Sequence, residues 1–310
     1  MSQITNTVLM IRPVRFRMNE ETAVNNYFQK STQELQATVN QKAQSEFDHF
    51  VELLKGKGIN VIVLEDIEAQ DTPDSIFPNN WISFHANGDI ALYPMFAENR
   101  RRERRPDILE QIEAHGFKIN NVVDYTSAED DAVFLEGTGS LILDRENRKA
   151  YCAISPRASE DLFIEFCEDF EFTPIMFEAN QTVNDKRLPI YHTNVMMCIA
   201  QEFAVICLDS IDDTKEKKLL TKSLKQDQKE IINISEAQMH QFAGNMLQVK
   251  GENDNSYLIM SQTAYNSLRQ DQIEAIEKYT SILYANLETI EKHGGGSARC
   301  MLAEVFNPKA

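Results

Sequence analysis

Short apolar runs rich in β-branched residues alternate with longer polar segments of helical period along the whole chain. From residue 139 the order is GSLILD, KAYCAIS, ASEDLFIEFCEDF and TPIMFEA, which predicts strand, strand, helix, strand. From 194 the same order returns as NVMMCIA, FAVICLD, a charged helix over 213–225, and KEIINIS. From 245 it is NMLQVKG, NSYLIMS, helices across 261–278, and TSILYANL. From 80 it is NWISFH, an Asn87-Gly88 turn, DIALYPM, a helix over about 104–115, and KINNVVDY.

First strands are therefore predicted to begin near 80, 139, 194, 245 and 300, at spacings of 59, 55, 51 and 55 residues. The fifth unit has only RCMLAEVF before the chain ends. Its missing elements stand at the other terminus: TVLMIRP, a helix over about 20–56, and INVIVLE. The expectation is an α/β fold, a pseudo-fivefold five-bladed propeller of strand-strand-helix-strand units whose last unit the N-terminus closes. Closure removes exposed sheet edges. An open α/β sheet is the plainer alternative. No linker or low-complexity seam divides residues 1–310, so one domain is expected.

Composition narrows the function. The 310 residues are 42% hydrophobic and 25% charged, as in a globular protein, with a net charge of −17. That charge argues against nucleic acid or an anionic membrane as partner. No apolar stretch reaches the length of a spanning helix, and MSQITNTVLMIRPVRF does not read as a secretory signal. The five cysteines are odd in number and lack C-x-x-C pairing, so a reducing cytoplasm without disulfides is expected. The six histidines show no metal-ligand spacing, and no phosphate loop or dinucleotide fingerprint is present. No metal and no cofactor are expected. Oligomeric state is left open, a homodimer included.

Chemistry-bearing residues cluster at the predicted strand mouths. They are Asn79-Asn80, Glu136-Gly137-Thr138-Gly139, His192-Thr193-Asn194, Gly244-Asn245, and Gly294 through Cys300. Singly, each is ordinary: a turn, a cap, a structural histidine, a flexible loop. Together they occupy one place in successive units, where a scaffold of equivalent units would make them converge. Four cysteines lie within the predicted units away from these mouths, and Cys300 does not: it follows HGGGSAR and sits beside Arg299. A thiolate nucleophile at Cys300, a proton carrier at His192, and Glu136 to accept a substrate N–H or steady the imidazole make a nucleophilic cysteine hydrolase or transferase.

At these residues the sequence resembles the guanidine-modifying, or pentein, superfamily. GGGSARCM is similar to the cysteine loop of its deiminases, EGTG to their glutamate motif, and YHTN to their histidine motif. The resemblance covers essentially the whole chain and implies the five-unit propeller reached above. It also implies Cys300 as nucleophile, His192 as general acid/base and Glu136 as the substrate-binding carboxylate.

Two departures point to the substrate. Asn80 in FPNNW and Asn194 in HTN stand where deiminases usually carry carboxylates that grip a guanidinium. An amide offers a donor and an acceptor but no charge, which suits a neutral ureido group. The combination is most similar to the citrulline-utilising hydrolase branch. The expected reaction turns citrulline into ornithine, ammonia and carbon dioxide, with loop amides at Gly296–Cys300 receiving the oxyanion. Arg157 in SPRAS, or Arg100 or Arg101 in NRRRERR, is expected to hold the substrate carboxylate, with Asn245 as a further binding residue. The alternatives are a guanidine hydrolase acting on arginine, agmatine or a methylated arginine, and a non-catalytic binding protein like the ribosome anti-association factor of this fold.

Overall fold

The alternating runs fold into five three-stranded sheets that share one design. The computed structural model describes residues 2–30 and 34–310. In each sheet the first strand pairs antiparallel with the second, and the second pairs parallel with the third. Four sheets are consecutive in sequence. They are Ile82–Phe84, Asp89–Leu92 and Asn121–Asp124; Leu141–Asp144, Lys149–Ala153 and Thr173–Phe177; Met197–Ile199, Phe203–Ile206 and Glu230–Asn233; and Leu247–Lys250, Ser256–Ser261 and Ser281–Ala285. A tight turn is enough for the antiparallel step, whereas the parallel step needs a crossover, and a helix fills it every time.

The fifth sheet is assembled from both ends of the chain. Ala303–Glu304 pairs antiparallel with Thr7–Arg12, which pairs parallel with Asn60–Glu65. This is the split unit that the sequence pattern indicates. The apolar clusters lie between sheets rather than within one. Leu9, Ile62, Trp81, Ile90 and Ala303 pack together, as do Ala91, Tyr93, Leu141 and Phe166. Neighbouring units therefore bury each other's faces, and burial of this kind is the main favourable term in folding.

Three differences from the sequence reading have physical causes. The first strands begin at Ile82, Leu141, Met197, Leu247 and Ala303, two or three residues later than expected. At four of the five mouths a single helical turn precedes the strand: Pro78–Asn80, Gly137–Ser140, Thr193–Val195 and Ala298–Met301. Of the helix expected over 20–56, Gln36–Lys55 forms, residues 20–30 do not, and residues 31–33 lie outside the described residues. Among the described residues before Gln36, Asn19, Thr22 and Asn26 turn their side chains onto other segments, a competition with the backbone that disfavours helix. A hairpin of Asn180–Val183 and Lys186–Pro189 lies outside the repeat. Its Asn184-Asp185 turn has both residues at positive φ, 50° and 61°, the geometry of a two-residue hairpin loop.

Candidate active site

The four helical turns pack against one another, so the strand mouths bring their motifs to one place. Cys300, His192, Asn80, Arg100, Arg157 and Asp74 line a common small cavity, with the Gly294–Gly296 backbone along one side. The glycines of EGTG are needed for this approach. Gly137 has φ of 43°, and a Cβ there would strike the Asn79 carbonyl. A Cβ on Gly139 would lie 2.9 Å from His192 Nδ1 and collide with Asn80 Nδ2.

Glu136 and His192 form the charged heart of the site. Glu136 is fully buried; its Oε2 accepts from His192 Nε2 at 2.6 Å and from Arg157 Nη1 at 3.4 Å. Its Oε1 accepts from the Phe96 amide at 2.9 Å. Burial pushes this carboxyl up, but the Arg157 charge, the His192 hydrogen bond and Arg100 outweigh it and hold it well below the usual carboxylate range. His192 is lowered too, for a different reason. Burial lowers it to about 4, against the partial opposition of Glu136. The imidazole is thus neutral at pH 7, with Nε2–H donated to an ionised carboxylate and the Nδ1 lone pair left to take a proton. Of the two roles expected for Glu136, the contact with His192 is the steadying one, and Glu136 is not part of the cavity lining.

Cys300 is buried, only 5% exposed, rather than presented openly by its loop. Asn245 Nδ2 donates to its Sγ at 3.2 Å and Asn194 Nδ2 at 3.4 Å. The structure thus places these two asparagines, expected to bind substrate, against the sulfur and outside the cavity lining. Both amides thus aim an N–H at the sulfur. The neighbouring cation is not Arg299. Its guanidinium reaches away to Leu302 O and Glu304, each at 2.8 Å. The amides of Arg299 and Cys300 are also committed, to Asn245 Oδ1 and Ser297 O at 3.0 Å each, so they are not the oxyanion donors expected.

The other four thiols are free and buried, and burial pushes all of them up, Cys167 and Cys198 to about 12. His293 is buried at the end of the Glu288–Gly294 helix, outside the cavity wall.

The arginines divide. Arg100 and Arg157 are 2% and 1% exposed and both line the cavity. Neither presents a free fork. Arg100 gives Nε and Nη2 to the two Glu103 oxygens at 2.9 Å each, and Nη1 to Asn80 Oδ1 at 2.7 Å. Arg157 gives Nε and Nη2 to Asn25 Oδ1 and stacks 4.8 Å from the Tyr191 ring centroid. Arg101 does not belong to the site. Its Nε donates to Met95 O and it pairs with Glu129, because the short Glu98–Arg101 helix turns consecutive side chains about 100° apart.

Sequence reasoning missed three contributors. Asp74 lines the cavity with a buried Oδ1 that has no partner, while its Oδ2 accepts from Asn19 and Thr22. Glu103 sits beneath Arg100. The irregular segment after the first strand straps the site: Asn26 and Gln29 donate to Gly294 O at 3.3 and 3.1 Å, and Asn25 holds Arg157. DSIFPNN carried the only available signal for Asp74, an acid close to an asparagine pair. Among the described residues no group of three or more His, Cys, Asp or Glu is placed to hold a metal, and no helix is long and apolar enough to cross a membrane.

The family model for "N,N dimethylarginine dimethylhydrolase, eukaryotic" matches residues 12–307. The chain belongs to this family. It is an enzyme of the hydrolase class that acts on carbon–nitrogen bonds, within the pentein guanidine-modifying superfamily. No curated protein matches its sequence significantly. Its mixed α/β fold is similar to that of ArgZ, an arginine dihydrolase from the ornithine-ammonia cycle in Cyanobacteria. Apo ArgZ superposes with a TM-score of 0.73 at 17% identity, over 98% of this chain and 41% of that one. The chain thus spans about two fifths of full-length ArgZ. The N-terminal domain of ArgZ bound to substrate gives 0.72 at 16% identity, over 97% of this chain and 98% of the domain. A dimethylarginine dimethylaminohydrolase adduct with S-methyl-L-thiocitrulline gives 0.64 at 13% identity, over 97% and 99%.

Proposed function

We propose that the chain hydrolyses citrulline to ornithine, ammonia and carbon dioxide within a closed five-bladed α/β propeller. One observation carries the substrate reading. Asn80 Oδ1 is taken by Arg100, so the amide turns its Nδ2 the other way. One Nδ2 hydrogen goes to Asn79 Oδ1 at 3.1 Å and the other remains for a ligand. A ureido carbonyl accepts that hydrogen bond; a guanidinium has only donors to offer.

Cys300 thiolate attacks the ureido carbon, and the carbonyl oxygen becomes an oxyanion received by Asn80 Nδ2. His192 Nδ1 takes the thiol proton and returns it to the δ-nitrogen, which leaves as ornithine. The carbamoyl thioester left on Cys300 is attacked by water, whose proton His192 accepts. The thiolate departs and carbamate breaks down to ammonia and carbon dioxide. Asp74 Oδ1 suits the α-ammonium, and Arg100 with Arg157 supplies the positive field for the α-carboxylate. The cysteine set between two asparagine donors supports catalysis over simple binding. The net charge and cysteine usage support a cytoplasmic setting.

A second reading is hydrolysis of arginine or a methylarginine, favoured by that same unpartnered Asp74 oxygen, which would also take a guanidinium. Asn80→Asp separates the two. It puts a carboxylate where the donor stood, so citrulline kcat/KM is expected to fall by on the order of a hundredfold, with relative gain for arginine. A variant that hydrolyses citrulline as well as the parent overturns the ureido reading.

A further inference from the structure

We propose that the buried Arg100–Glu103 pair is a positioning device: it fixes which end of the Asn80 amide faces the cavity, and so selects a neutral ureido head group over a cationic guanidino one. The inference rests on the citrulline reading and adds the residues that enforce it.

An asparagine amide has two ends of nearly equal shape, and only its neighbours decide which end points where. Here Arg100 Nη1 stands 2.7 Å from Asn80 Oδ1. Arginine has donors only, so the flipped amide would set N–H against N–H in a site that water does not reach. The donor itself has no freedom to retreat. Both Glu103 oxygens grip Arg100 Nε and Nη2 at 2.9 Å, and Nη2 also donates to Phe77 O at 3.1 Å. Arg100, Glu103 and Asn80 are 2%, 3% and 2% exposed. A planar guanidinium held by a two-point fork keeps its remaining N–H direction fixed in a way a lysine would not.

Glu103 does not line the cavity, so its effect on a substrate has to pass through Arg100. Asn79 completes the arrangement, because its Oδ1 accepts from Asn80 Nδ2 and rewards the same orientation. The consequence is a donor presented to the ligand at one fixed place. A carbonyl oxygen there is bonded in the ground state and more strongly as it becomes an oxyanion. A guanidinium nitrogen there brings hydrogen against hydrogen.

The test compares kcat/KM for citrulline and for arginine in the parent, Arg100→Met, Arg100→Lys and Glu103→Gln, each corrected for active sites titrated with a thiol reagent. In Arg100→Met the amide is free to flip, and the citrulline-to-arginine ratio is expected to fall at least tenfold, mostly through citrulline kcat. Arg100→Lys is expected to restore part of the ratio and Glu103→Gln to lie between it and the parent. If Arg100→Met does not fold, Glu103→Gln against Arg100→Lys reads the same ratio. Equal losses on both substrates, with the ratio unchanged, mean a merely structural pair and overturn the inference while leaving the citrulline reading intact. A parent enzyme that prefers arginine overturns the citrulline reading itself, and the selection device with it.

Discussion

An imidazole lowered to about 4 beside an ionised glutamate is set up to receive a proton, and its tautomer depends on that glutamate. Glu136→Gln keeps the shape but allows the side chain to donate as well as accept, so His192 loses its fixed tautomer. The expected result is a fall in kcat of about a thousandfold with KM little changed, read by steady-state kinetics. Thiol reactivity gives a second check. Four cysteines pushed up by burial should resist iodoacetamide while Cys300 reacts first, mapped by peptide mass. At this scale the sequence indicated identities better than roles. Cys300, His192, Glu136 and Asn80 were legible because they recur at strand mouths, and Arg157 because it stands in the SPRAS motif. The roles of Asn194 and Asn245 were not, because side-chain direction at a helical turn is set by contacts from other units. Arg101 differs from Arg100 by one helical step, which no composition or spacing reveals.

Elements explain how distant residues reach one cavity. The strand-mouth turns need small residues where they meet: Gly139→Ala pushes a methyl into Asn80 and His192. It is expected to cut kcat/KM at least a hundredfold, while the circular dichroism spectrum stays that of the parent. The strap before Gln36 was misread as helix because its polar residues have no tertiary partners in a one-dimensional pattern. Its side chains hold the backbone of the cysteine loop, including two bonds to Gly294 O. Removing both in Asn26→Ala/Gln29→Ala releases roughly 2 kcal/mol of local restraint, about 1 kcal/mol per hydrogen bond. Faster amide exchange over residues 294–300 is expected, together with a higher KM, and unchanged exchange there would show that the strap does not hold the loop.

Across the whole molecule, five like sheets put one motif at each of five mouths, and the spacing of apolar runs made this legible before any coordinates. What spacing does not encode is the charge inside. His192 is lowered to about 4, and the unfolded chain takes up a proton near 6.5, so the unfolded state binds more protons between those values. The contribution of His192 to stability is therefore expected to fall as pH drops from about 6.5 to 4, while Glu103, which burial raises to about 7, acts in the opposite direction. Glu136, held below its usual range, and the buried His85 act in the same direction as His192. Tm followed from pH 7.5 to 4.5 in the parent and in His192→Asn tests this, and the variant should lose less. The most direct measurement is turnover of citrulline and arginine in parallel, following ornithine, citrulline and ammonia by mass and enzymatic assay, with Cys300→Ser as the blank. The account predicts ornithine and ammonia from citrulline, little product from arginine, and no turnover in Cys300→Ser. Arginine consumed as fast as citrulline, or ornithine still formed by the serine variant, would contradict it.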